Sequence, residues 1–316
     1  KDCTSYLKNL IGLVQPDVVI VCQDFPYAVT TYYNLGIDWS RRKFCVITPI
    51  DGFPIEKDWL NLTDEADAVM NISDFGVEAM RKSGRKTHLC PPGIDPKVFR
   101  PATPEEKKEL RTRAQIPEDA FVLGMMAMNQ GRKAIPHTLD GFAEFAKDKP
   151  NALLYLDMDK VGIAGFNIPH LMEDKGIAPN KVLFREDIVP RGLAELRDRY
   201  CLLDAHSVLS HREGFGLPLI ESQACRIPSI SQNWCSGEEI CGNGQGYLVD
   251  RIPQPRSSTW GGAWDFDPSV EHFVTILNSI YNNPIGTQAI AQRGYEYALT
   301  RTWDKCADAV EQVLLK

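Results

Sequence analysis

Glu213 and Glu221 are separated by seven residues, and between them lie Gly214-Phe215-Gly216 and Pro218. The run Ala205-His206-Ser207-Val208-Leu209-Ser210 ahead of them reads as a strand. Pro218 suits a first helical turn, where it has no N–H to lose. The stretch from His211 to Pro228 therefore predicts a strand end, a tight turn and a helix start. Amides from Phe215 to Leu219 would point outward at the positive end of a helix dipole, a place for an anion. Two carboxylates beside an anion need a reason, because they would repel a phosphate set directly against them. A nucleoside diphosphate sugar supplies one: one carboxylate accepts hydrogen bonds from the sugar, the other from the ribose, on opposite sides of the diphosphate. The competing reading is two surface glutamates around an ordinary helix cap.

Other residues could serve the same chemistry. Arg132 and Lys133 follow the strand Phe121 to Met128, on a loop leading to a helix from about Pro136 to Lys147. Adjacent cations at that edge are placed to neutralise a departing diphosphate. Asp51 follows the strand Phe44 to Ile47 in Thr48-Pro49-Ile50-Asp51-Gly52-Phe53-Pro54, on a turn at the carboxyl edge where open α/β sheets bind ligands. Asp before Gly is also a favoured turn pair with no chemistry. Asp157-Met158-Asp159 closes the strand Asn151 to Leu156 and could hold a divalent cation. None of the six histidines reads as part of a metal set, and His211 is treated as wall beside Glu213.

The Glu-x7-Glu spacing with EGFGLP inside it resembles the GT-B glycosyltransferases of the large retaining family 4, or group 1. The resemblance is strong over residues 120 to 250, moderate over 44 to 100 and weak at both ends. It implies two Rossmann-like domains facing across a cleft, about 1–105 and 106–300, with a terminal helix 301–316 crossing back. It also implies that Glu213 lies beside the donor sugar and Glu221 on the ribose hydroxyls, with Gly214, Phe215, Gly216 and Leu217 forming the donor loop. Lys133 matches the family lysine. Arg132 departs somewhat, since the family arginine often stands several residues earlier, where this chain has Met128-Asn129. Asp51 resembles a variant of the position where others carry His. The loop Arg185 to Val189, including Ile188, corresponds to the backbone that reads the nucleobase. Ser236-Gly237-Glu238-Glu239 loosely keeps the Gly-x-x-Glu found near the sugar.

By this resemblance a hexose moves from a UDP-glucose-like or GDP-mannose-like donor to an acceptor hydroxyl, with retention and without metal or cofactor. Glu213, Asp51 and Lys133 form the catalytic set, and a diphosphate oxygen takes the acceptor proton. The acceptor is a glycan, a lipid-linked group or a small molecule. The alternatives are a nucleotide-sugar binding protein without turnover and a GT-B 2-epimerase of a sugar nucleotide.

The elements that must position these residues alternate between strand and helix along 316 residues, enough for two domains. A formal charge of −7 gives a nucleic-acid partner no global support. Arg81, Lys82, Arg85 and Lys86 could touch anionic lipid, which would allow peripheral membrane contact, but they read better as a solvated helix end. No apolar run approaches the roughly 18 residues of a membrane span, and no signal peptide is read. Nine scattered cysteines without a CxxC pair read as reduced thiols of a cytoplasmic protein. Val18 to Cys22 reads as a fully buried parallel strand. The usual opening strand and glycine-rich loop are not found before it, so the first domain reads as shortened or truncated. Gln254 to Ala263 reads as a lid or insertion, and Pro268–Asn283 and Thr287–Lys316 as two terminal helices.

Overall fold

The computed structural model describes residues 3–162, 164–184, 192–258 and 262–315. Two parallel sheets carry the fold. The first has the order β1-β2-β3-β4, from Val18–Cys22, Lys43–Thr48, Ala68–Asn71 and His88–Leu89. The second has six strands in the order β10-β9-β8-β5-β6-β7. In chain order these are Phe121–Met126 (β5), Ala152–Asp157 (β6), Val182–Phe184 (β7), Ala205–Val208 (β8), Ser229–Gln232 (β9) and Tyr247–Val249 (β10). Every residue of β5 is buried, as a central parallel strand covered on both faces requires.

In the second sheet β5 pairs with β6 on one side and with β8 on the other, through Leu123 opposite Ala205. The strand order reverses there. Open α/β sheets bind ligands outside the carboxyl ends of strands at such a switch point. The loop after β5 holds Arg132 and Lys133, and the loop after β8 holds Glu213, so topology alone brings them together.

His206 on β8 locks this arrangement. Its Nε2 accepts the Met126 N–H at 3.2 Å, and its Nδ1 lies 3.1 Å from Ser222 Oγ on the helix Leu217–Ala224. Burial pushes the imidazole down to about 3, so it stays neutral and structural. The helix Pro104–Arg113, entered through a Thr103/Glu106 capping box, belongs with this second core. Buried Arg111 donates to the Leu202 carbonyl and pairs with Asp204 at 2.6 Å.

Two expectations are corrected, and a third stretch takes a definite form. Among the described residues β1 stands at the edge of its sheet and is not fully buried: Ile20 is 41 % exposed and Cys22 is exposed. The carboxyl-terminal part contains three helices, Val270–Asn282, Pro284–Leu299 and Trp303–Leu314, because the chain leaves helix over Thr300–Thr302 and Thr302 caps the last one. The stretch Gln254 to Ala263 contributes to a small antiparallel hairpin, Arg256–Ser257 (β11) against Trp264–Asp265 (β12); residues 259–261 lie outside the described residues.

The last helix packs back on the first sheet, with Cys306, Val310, Val313 and Leu314 against Cys45, Met70 and Cys90. Gly93 makes the crossing possible. A Cβ there would lie 2.1 Å from the Thr302 carbonyl carbon and 2.3 Å from the Trp303 nitrogen.

Candidate active site in the interdomain cleft

A cleft of about 1460 Å³ opens between the domains, walled by residues 213–218 and Arg132 on one side and by Asp24, Tyr27, Asp51 and Trp59 on the other. Gly216 starts the helix Leu217–Ala224 at φ 96°, a left-handed conformation that glycine adopts without strain. The expected fan of amides is smaller than the sequence suggested. Pro218 has no N–H, and the Leu219 N–H is taken by the Gly216 carbonyl at 2.8 Å.

Glu213 is the centre of the polar network. Lys133 Nζ donates to its Oε2 at 2.5 Å, Ser210 Oγ donates at 3.0 Å, and Arg132 Nη1 approaches within 3.5 Å. Burial pushes this carboxyl up, but the charges of Lys133 and Arg132 and the bonds from Lys133 and Ser210 outweigh it and hold the group at about 2. Glu213 is therefore an anion throughout the neutral range. Lys133 lies behind the cleft wall, buried against it, while Arg132 faces the opening.

Glu221 stands apart from Glu213. It is not on the described cleft wall; Tyr200 Oη donates to its Oε2 at 2.7 Å. Burial raises the Glu221 carboxyl and the Tyr200 bond opposes that rise. Ile188 lies outside the described residues, as does the rest of the proposed base-reading loop.

Asp51 reaches the cleft from the first domain and meets Arg212 Nη1 at 3.3 Å; Arg212 Nε also donates to Asp265 at 2.5 Å. Burial raises the Asp51 carboxyl, opposed by the charges of Arg212 and Arg132. Cys235 Sγ donates to the Asp51 carbonyl at 3.1 Å, and Gly214 approaches Pro49 so closely that an added Cβ would meet Pro49 Cβ at 2.7 Å. The glycine loop thus seats directly against the first domain.

The hairpin supplies a second polar group that the sequence did not reveal. His137, His211 and Asp267 place ligand atoms within 4.8 Å of one another, which corrects the reading that no histidine enters a metal-like set. Burial pushes both imidazoles down. Arg256 pairs with Asp267 and lies 3.1 Å from His211 Nδ1, so a guanidinium fills the cationic position in the described arrangement. The three side chains could hold a divalent cation only with Arg256 swung out. These residues are far apart in sequence, and the alternation Asp265-Phe266-Asp267 was their one local signal. Asp157, by contrast, pairs with Arg199 at 3.0 Å, and the Asp157/Asp159 pair forms no ligand group among the described residues.

Glu239 is also placed differently from expectation. It lies outside the main cleft, in a smaller one with Phe75 and Trp234, where its Oε2 accepts the Asp74 N–H at 2.7 Å. Burial and the Asp74 charge raise it to about 7.

Comparison with known proteins agrees with this fold. The sequence pattern of the family "Glycosyl transferases group 1" covers residues 168–258, which include Glu213, Glu221 and the turn between them. The chain belongs to the group 1 glycosyl transferases and has the GT-B fold. A D-inositol 3-phosphate glycosyltransferase from Kineococcus radiotolerans is 31% identical over 245 residues, covering 72% of this chain and 51% of that protein. The chain spans about half or less of the length of the curated relatives it matches. Sucrose-phosphate synthase from Thermosynechococcus elongatus superposes with a TM-score of 0.77 at 18% identity, covering 98% of this chain and 76% of that one. Anabaena HepE in complex with UDP-glucose gives 0.75 at 16% identity, covering 99% and 82%. This GT-B chain has no helix among its described residues long and apolar enough to cross a membrane.

Proposed function

We propose that this protein transfers a hexose from a nucleoside diphosphate sugar, UDP-glucose-like or GDP-mannose-like, to an acceptor hydroxyl, with retention and without a metal ion. The observation that carries the reading is the buried Glu213–Lys133 pair at the switch point, with Arg132 beside it and the glycine turn in front. A donor in this cleft would present its diphosphate to Arg132 and the helix start and its sugar hydroxyls to Glu213. That HepE, of the same fold, was captured with UDP-glucose supports the donor class.

In the reaction the anomeric carbon–oxygen bond to the diphosphate breaks and a bond to the acceptor oxygen forms on the same face. The acceptor proton passes to the departing diphosphate oxygen. Fixed cations and amides aimed at that oxygen supply the stabilisation, and removal of one such donor costs on the order of 10²–10³ in turnover. Asp51, across the cleft, orients the acceptor. Eight described free thiols, with no disulfide among the described residues, support a reducing, cytoplasmic setting.

The test incubates the protein with UDP-glucose, UDP-N-acetylglucosamine, UDP-galactose and GDP-mannose, with and without EDTA, and follows free nucleotide. Release from one donor, unchanged by EDTA and lost in Glu213→Ala, is expected. Thermal stabilisation by a nucleotide with no release from any donor would replace transfer by binding alone.

A further inference from the structure

The two walls of the cleft differ in their charged groups: the second-domain wall mixes arginines with Glu213, Asp265 and Asp267, and the first-domain wall has carboxylates alone among the described residues. Among the described residues every arginine on the wall comes from the second domain: Arg132, Arg212 and Arg256. The first-domain wall carries two carboxylates, Asp24 and Asp51, and no lysine or arginine among the described residues. Asp51 is matched to Arg212. Asp24 has no such match. It stands at the start of the helix Phe25–Leu35 without a side-chain capping bond, it is exposed, and no hydrogen bond or ion pair joins its carboxylate to another described residue.

Beside Asp24 the wall is aromatic. Tyr27, one turn into the same helix, is 54 % exposed, and half-buried Trp59 lines the same side. An open carboxylate next to aromatic faces suits a ring that presents hydroxyls at its edge and C–H groups on its face. A phosphorylated group there would meet the unpaired Asp24 carboxylate and an Asp51 already matched to Arg212, with no cation on its own wall among the described residues, and like charges a few ångströms apart repel even under strong screening.

From this wall we infer that the acceptor is an uncharged glycoside or free sugar, held with its ring over Tyr27 and Trp59 and a hydroxyl donating to Asp24. The inference rests on the transfer reading above for calling this ligand the acceptor, but the site itself is defined by the first-domain wall. Anionic sugars, including hexose phosphates, are disfavoured by the same Asp24 carboxylate that binds the neutral ones.

Saturation-transfer NMR on the whole protein with UDP present tests binding directly, using methyl and p-nitrophenyl hexosides against hexose 1- and 6-phosphates. Transfer assays with the same panel test use. The neutral compounds are expected to bind, and to show kcat/KM at least about tenfold above their phosphorylated counterparts. Tyr27→Ala should raise the acceptor KM more than it lowers kcat. Asp24→Lys should narrow or invert the preference, and an unchanged melting temperature would show that the fold is kept. Equal or better binding of the phosphates, binding by neither class, or indifference to both substitutions overturns the inference. Neutral glycosides that bind through Asp24 and Tyr27 while no donor releases nucleotide would uphold this site and sink the transfer reading.

Discussion

The Glu239 carboxylate of the second domain accepts the backbone N–H of Asp74, at the first helical turn after β3 of the first domain, at 2.7 Å. Its other oxygen, Oε1, is buried without a partner, as suits a protonated acid better than an anion. Phe75 and Trp234 meet edge to face at 5.6 Å beside it, so the contact is one seam of the domain interface.

The first prediction concerns pH. Glu239 has a folded value raised to about 7 by burial and by Asp74, above its ordinary value of 4.5. The neutral form is therefore favoured in the folded state, and the associated stability is fully present below about 4.5 and is lost as pH rises through about 7. The loss is roughly 3 kcal/mol at most, taking about 1.4 kcal/mol per unit. Glu239→Gln should flatten this part of the stability profile, measured by urea melts between pH 5 and 8, because the amide oxygen still accepts from Asp74.

A second prediction separates charge balance from chemistry at Glu213. Lys133→Ala leaves a buried carboxylate without its nearest cation and should cost about 3 kcal/mol, the low end for a broken buried pair because Arg132 and Ser210 remain. The double variant Lys133→Ala/Glu213→Ala should recover much of that stability in chemical melts. Nucleotide release should remain depressed by about 10²–10³ in both.

The third prediction follows from Tyr200. Its hydroxyl lowers the Glu221 carboxyl against the rise caused by burial. Tyr200→Phe removes that restraint, so Glu221 protonates at higher pH. If the ionised form binds ribose, UDP affinity should begin to fall at a higher pH in the variant as acid is added. Glu221→Gln should weaken UDP by about 1.5–3 kcal/mol at neutral pH, the range for a hydrogen bond to a charged group. Calorimetric titration across pH reads both.

Two glycines give a fourth prediction with contrasting readouts. Gly93→Ala drives a methyl into the Thr302–Trp303 backbone and should lower stability by about 1–3 kcal/mol. Gly214→Ala drives one into Pro49 across the cleft. That strain can relax by moving the domains apart, so turnover should fall more than the melting temperature does.

The parts of the site that were legible in the sequence are those held by local chain geometry. Glu213, Gly216 and Pro218 define a strand–turn–helix over a few residues, and the structure forms that turn. Arg132 and Lys133 stand on the next loop of the same sheet edge, because β5 and β8 are neighbours. What could not be read depends on long-range packing. His137, His211, Arg256 and Asp267 become neighbours only when the hairpin folds over the cleft. Glu239 keeps its motif position in sequence, yet the orientation of one short helix turns it toward Asp74 instead of the main cleft. The edge character of β1 was hidden because its run of Val, Ile and Cys is as apolar as that of a central strand.

The helix Trp303–Leu314, which covers Cys45, Met70 and Cys90 of the first sheet, has a consequence for the order of events during synthesis. Strands β1 to β4 leave the ribosome long before the residues that seal one of their faces. The second domain, whose strands and helices lie between, can close on itself first. The first domain must wait, partly uncovered, until the helix Trp303–Leu314 arrives, so its packing is completed after that of the second domain. Nascent chains stalled before residue 303 should accordingly show a protease-resistant second domain and a first domain still open to cleavage.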